Sequence, residues 1–128
     1  MRLTSNPKNI ARVESFLANV IKDYNISEEV YGNMLISLTE AVTNAMMHGN
    51  KADEKKIVRV THQAREKQLV FKISDEGKGF NPNDVPDPTA PENLLKLGGR
   101  GVFLMRKLAD RVNFLNNGST VEIQFRLR

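Results

Sequence analysis

The hydrophobic period changes once in the first half of this chain, and that change constrains the fold more than any other feature. Ile10, Val13, Phe16, Leu17, Val20 and Ile21 recur at spacings of three and four, which predicts an amphipathic helix opening just after Pro7. Ser27 followed by Glu28 and Glu29 is a helix start, because a serine can cap the first turn and acids suit its positive end. Tyr31, Met34, Leu35, Leu38, Ala41, Val42 and Ala45 give this second helix its apolar face, widened by Met46 and Met47, and Gly49-Asn50 predicts its end. After the charged stretch Lys51–Lys56 the period falls to two. Val58 and Val60 share one side of a run from Ile57 to Gln63; Leu69, Phe71 and Ile73 share one side of the next, across a polar connection at 65–68. Such runs pair as antiparallel strands.

Residues 75–101 break the pattern. They hold Gly77, Gly79, Gly98, Gly99 and Gly101, five of eight glycines, and Pro82, Pro86, Pro88 and Pro91, four of five prolines. Loops of this length in small domains usually serve as lids or binding loops. A helix with Val102, Met105, Leu108 and Ala109 on one side is expected next. Two strands then flank Asn117-Gly118, a strong hairpin signal, with Val121, Ile123, Phe125 and Leu127 facing in. The order α-α-β-β-loop-α-β-β predicts an α+β fold: a two-layer sandwich whose sheet is mixed but mostly antiparallel, with helices on one face. The 128 residues are expected to form a single domain.

With no cysteine, the chain has no disulfide framework, thiolate nucleophile or Cys-ligated metal. His48 and His62 are too few for a metal cluster. No apolar run is long enough to span a membrane, and the first residues lack a signal-peptide core, so a cytoplasmic location without membrane attachment is expected. The formal charge of +4 leans weakly toward anionic partners. Scattered charge and few aromatics argue against direct nucleic-acid binding.

Three places break local rules. Glu40 and Asn44, with His48 one turn further on, stand opposite the Leu38 side of the second helix. They are either a solvated face or a carboxylate and amide aimed at one ligand. An amide oxygen suits Mg²⁺, and a carboxylate beside it can accept a proton from an attacking hydroxyl. Asp75 in Asp75-Glu76-Gly77-Lys78-Gly79 continues the parity of Leu69, Phe71 and Ile73. It is either part of a polar turn or a buried carboxylate in need of a donor, such as an adenine amino group. Gly98-Gly99-Arg100-Gly101 before a helix is either a flexible start or an anion site, to which Arg100 and Lys96 add charge. His48 at a helix end is expected to cap or pack rather than accept a phosphoryl group. No P-loop is present.

In this order, the motifs resemble the GHKL superfamily of ATP-binding domains. The N-box resembles Glu40-Ala41-Val42-Thr43-Asn44-Ala45-Met46-Met47-His48-Gly49-Asn50, the G1 box Asp75-Glu76-Gly77-Lys78-Gly79-Phe80, and the G2 box Gly99-Arg100-Gly101-Val102. Within the superfamily the N-box is most similar to bacterial anti-sigma factor serine kinases of the sporulation and general-stress type. The resemblance implies Glu40 as catalytic base, Asn44 as Mg²⁺ ligand, and Asp75 on the adenine amino group. It implies a nucleotide pocket shaped by Gly77, Gly79, Gly99 and Gly101, and a lid over about residues 80–98. Where several members carry an arginine before the G2 glycines, this chain reads Lys96-Leu97-Gly98, leaving Lys96 and Arg100 as the basic residues there. The implied activity is Mg-ATP-dependent phosphorylation of a serine on an anti-anti-sigma partner, with sequestration of a sigma factor by a homodimer. The alternative is a nucleotide-responsive binding module without significant transfer. A detached histidine-kinase catalytic domain is a third, disfavoured reading, because no dimerisation helix with a phosphoacceptor histidine is expected before the first helix and His48 sits inside the N-box.

Overall fold

The computed structural model describes residues 1–77 and 97–127, with side chains omitted for 97–100. A short strand β1 (Arg2–Thr4) comes first, then a 3₁₀ turn (Pro7–Ile10) leading into α1 (Ala11–Ile21). Helix α2 (Glu28–Asn44) begins where expected: Ser27 is extended and its hydroxyl accepts the Val30 N–H at 3.2 Å. It continues directly into a π-helical turn (Ala45–Gly49). Strands β2 (Ile57–Arg65) and β3 (Gln68–Ser74) follow, then α3 (Leu97–Leu108), β4 (Arg111–Leu115) and β5 (Thr120–Arg126). The turn between the last two strands places Asn116, Asn117 and Gly118 at positive φ, where asparagine and glycine are best tolerated.

The sheet runs β1-β2-β3-β5-β4. All of its pairings are antiparallel, so the expected mixture is corrected to a uniform ladder. The α+β class and two layers stand as read from the sequence. Strand β1 was not anticipated: three residues are too short for an alternation to register, yet Leu3 is fully buried opposite Val58. In the sheet, Val58, Val60, Leu69, Phe71, Ile73, Val121, Ile123 and Phe125 share one parity and are buried. They pack with Val13 and Leu17 of α1, Met34, Leu38, Ala41 and Val42 of α2, and Val102 and Met105 of α3. The opposite parity forms a second, open face. Among the described residues no helix is long and apolar enough to cross a membrane.

Candidate functional site

The site is built along one continuous stretch, from the middle of α2 to the end of the π turn. Glu40 and Asn44 are half-buried and approach α3. A Cβ placed on Gly101 would lie 2.7 Å from Asn44 Nδ2 and 3.1 Å from Glu40 Oε2. A side chain at position 101 would require the Asn44 amide to move away from the α3 backbone. This corrects the sequence expectation in one respect: the glycines do not precede the helix as a loop. Leu97, Gly98, Gly99, Arg100 and Gly101 are already helical, so Gly99 and Arg100 lie in the first turns of α3. Gly79, Lys96 and most of the lid expected over about 80–98 lie outside the described residues; Leu97 and Gly98, at its expected end, belong to α3.

One turn further along, the widened helix brings Gly49 against Asp75. A Cβ on Gly49 would overlap the Asp75 carboxylate, and one on Gly77 would overlap the Gly49 carbonyl. Asp75 continues from β3 on the helix side, as its parity predicted. Its carboxylate accepts the Gly77 N–H at 2.8 Å, and its own N–H donates to the Ser119 carbonyl at 2.9 Å. Burial pushes the Asp75 carboxyl above its ordinary value, while the Gly77 N–H and the Lys56 ammonium act in the opposite direction. A partly buried carboxylate with one oxygen committed to its own turn keeps acceptor capacity for an incoming donor. Four helical residues stand between Asn44 and Gly49, a span of about 7 Å. The Glu40–Asn44 pair, facing Gly101, and Asp75, facing Gly49, therefore lie one after the other along the same helical stretch.

Asn50, which sequence reasoning treated only as a helix end, anchors the turn that carries Asp75. It is fully buried. Its N–H donates to the Ala45 carbonyl at 2.8 Å, closing the π turn. Its Nδ2 donates to Ser5 Oγ at 2.9 Å and to the Ile57 carbonyl at 3.2 Å, and its Oδ1 accepts the Glu76 N–H at 2.7 Å. The Ser5 hydroxyl in turn donates to the Lys56 carbonyl, and the Glu76 carboxylate accepts the Ile57 N–H. One amide side chain thus ties the end of β1, the start of β2 and the Asp75–Gly77 turn to the helix. No local sequence signal separates such an asparagine from an ordinary cap. His48, expected to cap or pack, is exposed. Of the two methionines expected to widen the apolar face, Met46 is fully buried and Met47 is 41% exposed.

The donor set fits a nucleotide-bound Mg²⁺ better than a metal held by protein alone. Among the described residues no group of three or more histidine, cysteine or acidic side chains could hold a metal ion. Mg²⁺ commonly takes one or two protein oxygens and completes its shell with substrate phosphates and water. The Asn44 amide oxygen could offer one such protein oxygen, with the Glu40 carboxylate beside it.

The histidine kinase-like ATPase domain family matches residues 3–125. The serine-protein kinase RsbW of Bacillus licheniformis is 28% identical over 130 residues, spanning 96% of this chain and 81% of its own length. RsbW of Listeria monocytogenes serovar 1/2a is 26% identical over 121 residues, spanning 88% of this chain and 75% of its own. Among solved structures, the histidine kinase domain of the Erythrobacter litoralis EL346 blue-light activated histidine kinase superposes with a TM-score of 0.58 at 20% identity. That likeness is one of fold; it covers 94% of this chain and 60% of that domain.

Proposed function

Because the chain belongs to the histidine kinase-like ATPase domain family, we propose that it binds Mg-ATP and transfers the γ-phosphoryl group to a serine of an anti-anti-sigma partner. In the same reading it sequesters a sigma factor in the cytoplasm. The observation that carries the proposal is the convergence of Glu40 and Asn44 on Gly101 with Asp75 against Gly49. The two RsbW relatives, named as serine-protein kinases, support serine as the acceptor.

In this reading Asp75 accepts a hydrogen bond from the adenine amino group, and Gly77 lets backbone approach the flat ring. Asn44 presents its amide oxygen to Mg²⁺, which offsets phosphate charge when bound. Glu40 stands beside Asn44 and takes the proton from the serine hydroxyl. As the serine oxygen bonds to the γ-phosphorus, the bond from that phosphorus to the bridging oxygen breaks and ADP leaves. The first turn of α3, with Gly99, Arg100 and Gly101, directs backbone N–H groups toward phosphate. Lys96, Gly79 and the lid complete the pocket in the same reading.

The test is phosphoryl transfer from labelled ATP to a purified anti-anti-sigma protein, with wild type and Glu40→Gln. Removing a general base costs about 10²–10⁴ in rate. The expected result is phosphoserine with wild type, a loss of about a hundredfold or more in Glu40→Gln, and unchanged ATP affinity. ATP-dependent partner binding without phosphoserine would identify a nucleotide-responsive module instead.

A further inference from the structure

The open face of the sheet carries a charge distribution that the nucleotide cleft does not use. Strand register lays its side chains out as a grid. One row runs Arg2, Arg59, Ser74, Thr120 and Leu115; the next Thr61, Lys72, Glu122 and Asn113. The third runs Gln63, Val70, Gln124 and Arg111, and the fourth Arg65, Gln68 and Arg126. With neighbouring strands about 4.8 Å apart and same-face residues about 7 Å apart, the grid measures roughly 20 Å each way.

Six basic side chains stand on this face against one acid, Glu122, whereas the whole chain has 19 basic and 15 acidic residues. The face therefore accounts for the chain's entire net positive charge, and the remainder is close to neutral. Nor is that charge neutralised internally. Lys72 and Glu122 meet at 4.0 Å, and among the described residues the guanidinium groups of Arg2, Arg59, Arg111 and Arg126 have no carboxylate at that distance; Asp110, beside Arg111, accepts the Arg126 backbone N–H at 2.7 Å. Arg2 lies directly opposite Arg59 in the β1–β2 ladder. Like charges placed opposite each other across a ladder destabilise it. An anionic surface laid on the face would relieve that repulsion.

We propose that this open sheet face docks an Asp/Glu-rich segment of a partner protein. Arginine forks match carboxylates in bidentate geometry. Gln68 adds an amide that can both donate to and accept from a peptide; Gln63 Oε1 already accepts from the Arg65 guanidinium and Gln124 Nε2 donates to Glu122, so Gln63 offers its N–H groups and Gln124 its carbonyl. The face is poorly suited to nucleic acid: it presents no aromatic ring for base stacking, and Glu122 stands near its centre. It also lacks apolar side chains to insert into a lipid surface. Val70 is only 3% exposed beneath the flanking amides, and Leu115 stands alone at the edge. The proposal does not depend on nucleotide chemistry.

The experiment measures binding of a fluorescent twelve-residue polyglutamate peptide by anisotropy, beside a single-stranded oligonucleotide and phosphatidylglycerol vesicles. Arg59→Glu with Lys72→Glu is compared with Lys22→Glu with Lys55→Glu, a pair that changes net charge equally but lies off the face. The expected result is peptide binding weakened about tenfold or more by the face pair, and less than about threefold by the off-face pair. Amide shifts on peptide addition should map to β2, β3 and β5. Thermal midpoint and ADP affinity, which should match wild type, report that the fold is intact. If the face pair unfolds, Arg111→Gln with Arg126→Gln carries the same test. Absence of peptide binding, equal loss in both pairs, or tighter binding to oligonucleotide or vesicle overturns the proposal.

Discussion

Burial raises the Asp75 carboxyl above its ordinary value of 3.8, and the Gly77 N–H and Lys56 only partly offset it. Folding therefore binds a proton more tightly at this position than the unfolded chain does. The sign follows: the contribution to stability is complete below the ordinary carboxylate range and is lost as pH rises through the raised folded value. Asp75→Asn removes that titration while its amide oxygen can still accept the Gly77 N–H. Urea unfolding across a pH series should show the variant gaining on wild type as pH rises from about 4 to 7. In the proposed function the same variant should bind ADP about tenfold more weakly or worse, read by calorimetric titration, because the adenine amino group loses its charged acceptor. A constant stability gap between the two proteins at all pH values would contradict the assigned cause.

The π turn and Asn50 act together as an element. Ala45–Gly49 widens the helix so that Gly49 meets Asp75, and Asn50 closes the turn while holding β2 and the Asp75–Gly77 turn. Each net hydrogen bond contributes about 1 kcal/mol, and an unpaired buried partner costs more. Asn50→Ala should lower the unfolding free energy by about 2–4 kcal/mol, measured by urea titration. Nucleotide affinity should fall with it, since the Glu76 N–H loses its anchor. Sequence reasoning reached the helix, its Ser27 cap and the Glu40–Asn44 pair, because these follow from periodicity and local chemistry. It assigned Glu40 and Asn44 to the side opposite the apolar face without naming what faces them; α3 is the answer, through Gly101. It missed the π turn, since one additional residue in a helix leaves no signature in the hydrophobic spacing. It missed the role of Asn50, whose four partners come from positions 5, 45, 57 and 76.

Across the molecule, the sheet order β1-β2-β3-β5-β4 brings strands from both halves of the chain together. The α+β class, the hairpin at Asn117-Gly118 and the buried parity of β3 and β5 were legible, because alternation is a strong local signal. The position of β1 and the uniformly antiparallel ladder were not, because both depend on long-range pairing. Binding to the folded state alone makes the apparent stability of the whole domain depend on nucleotide. At a hundredfold excess over Kd the gain is about 2.7 kcal/mol, which for a domain this size raises Tm by roughly 10 °C. A scan with and without Mg-ATP checks this; an unchanged Tm at saturating nucleotide argues against the proposed site. The pairing of Gln68–Ser74 with Thr120–Arg126 at the sheet's centre has one more consequence. If the backbone were severed anywhere between 77 and 97, Glu40, Asn44 and Asp75 would remain on one fragment and Gly101 on the other. The β3–β5 ladder would be the seam that rejoins them, so the two halves are natural candidates for a complementation reporter in which neither alone takes up nucleotide.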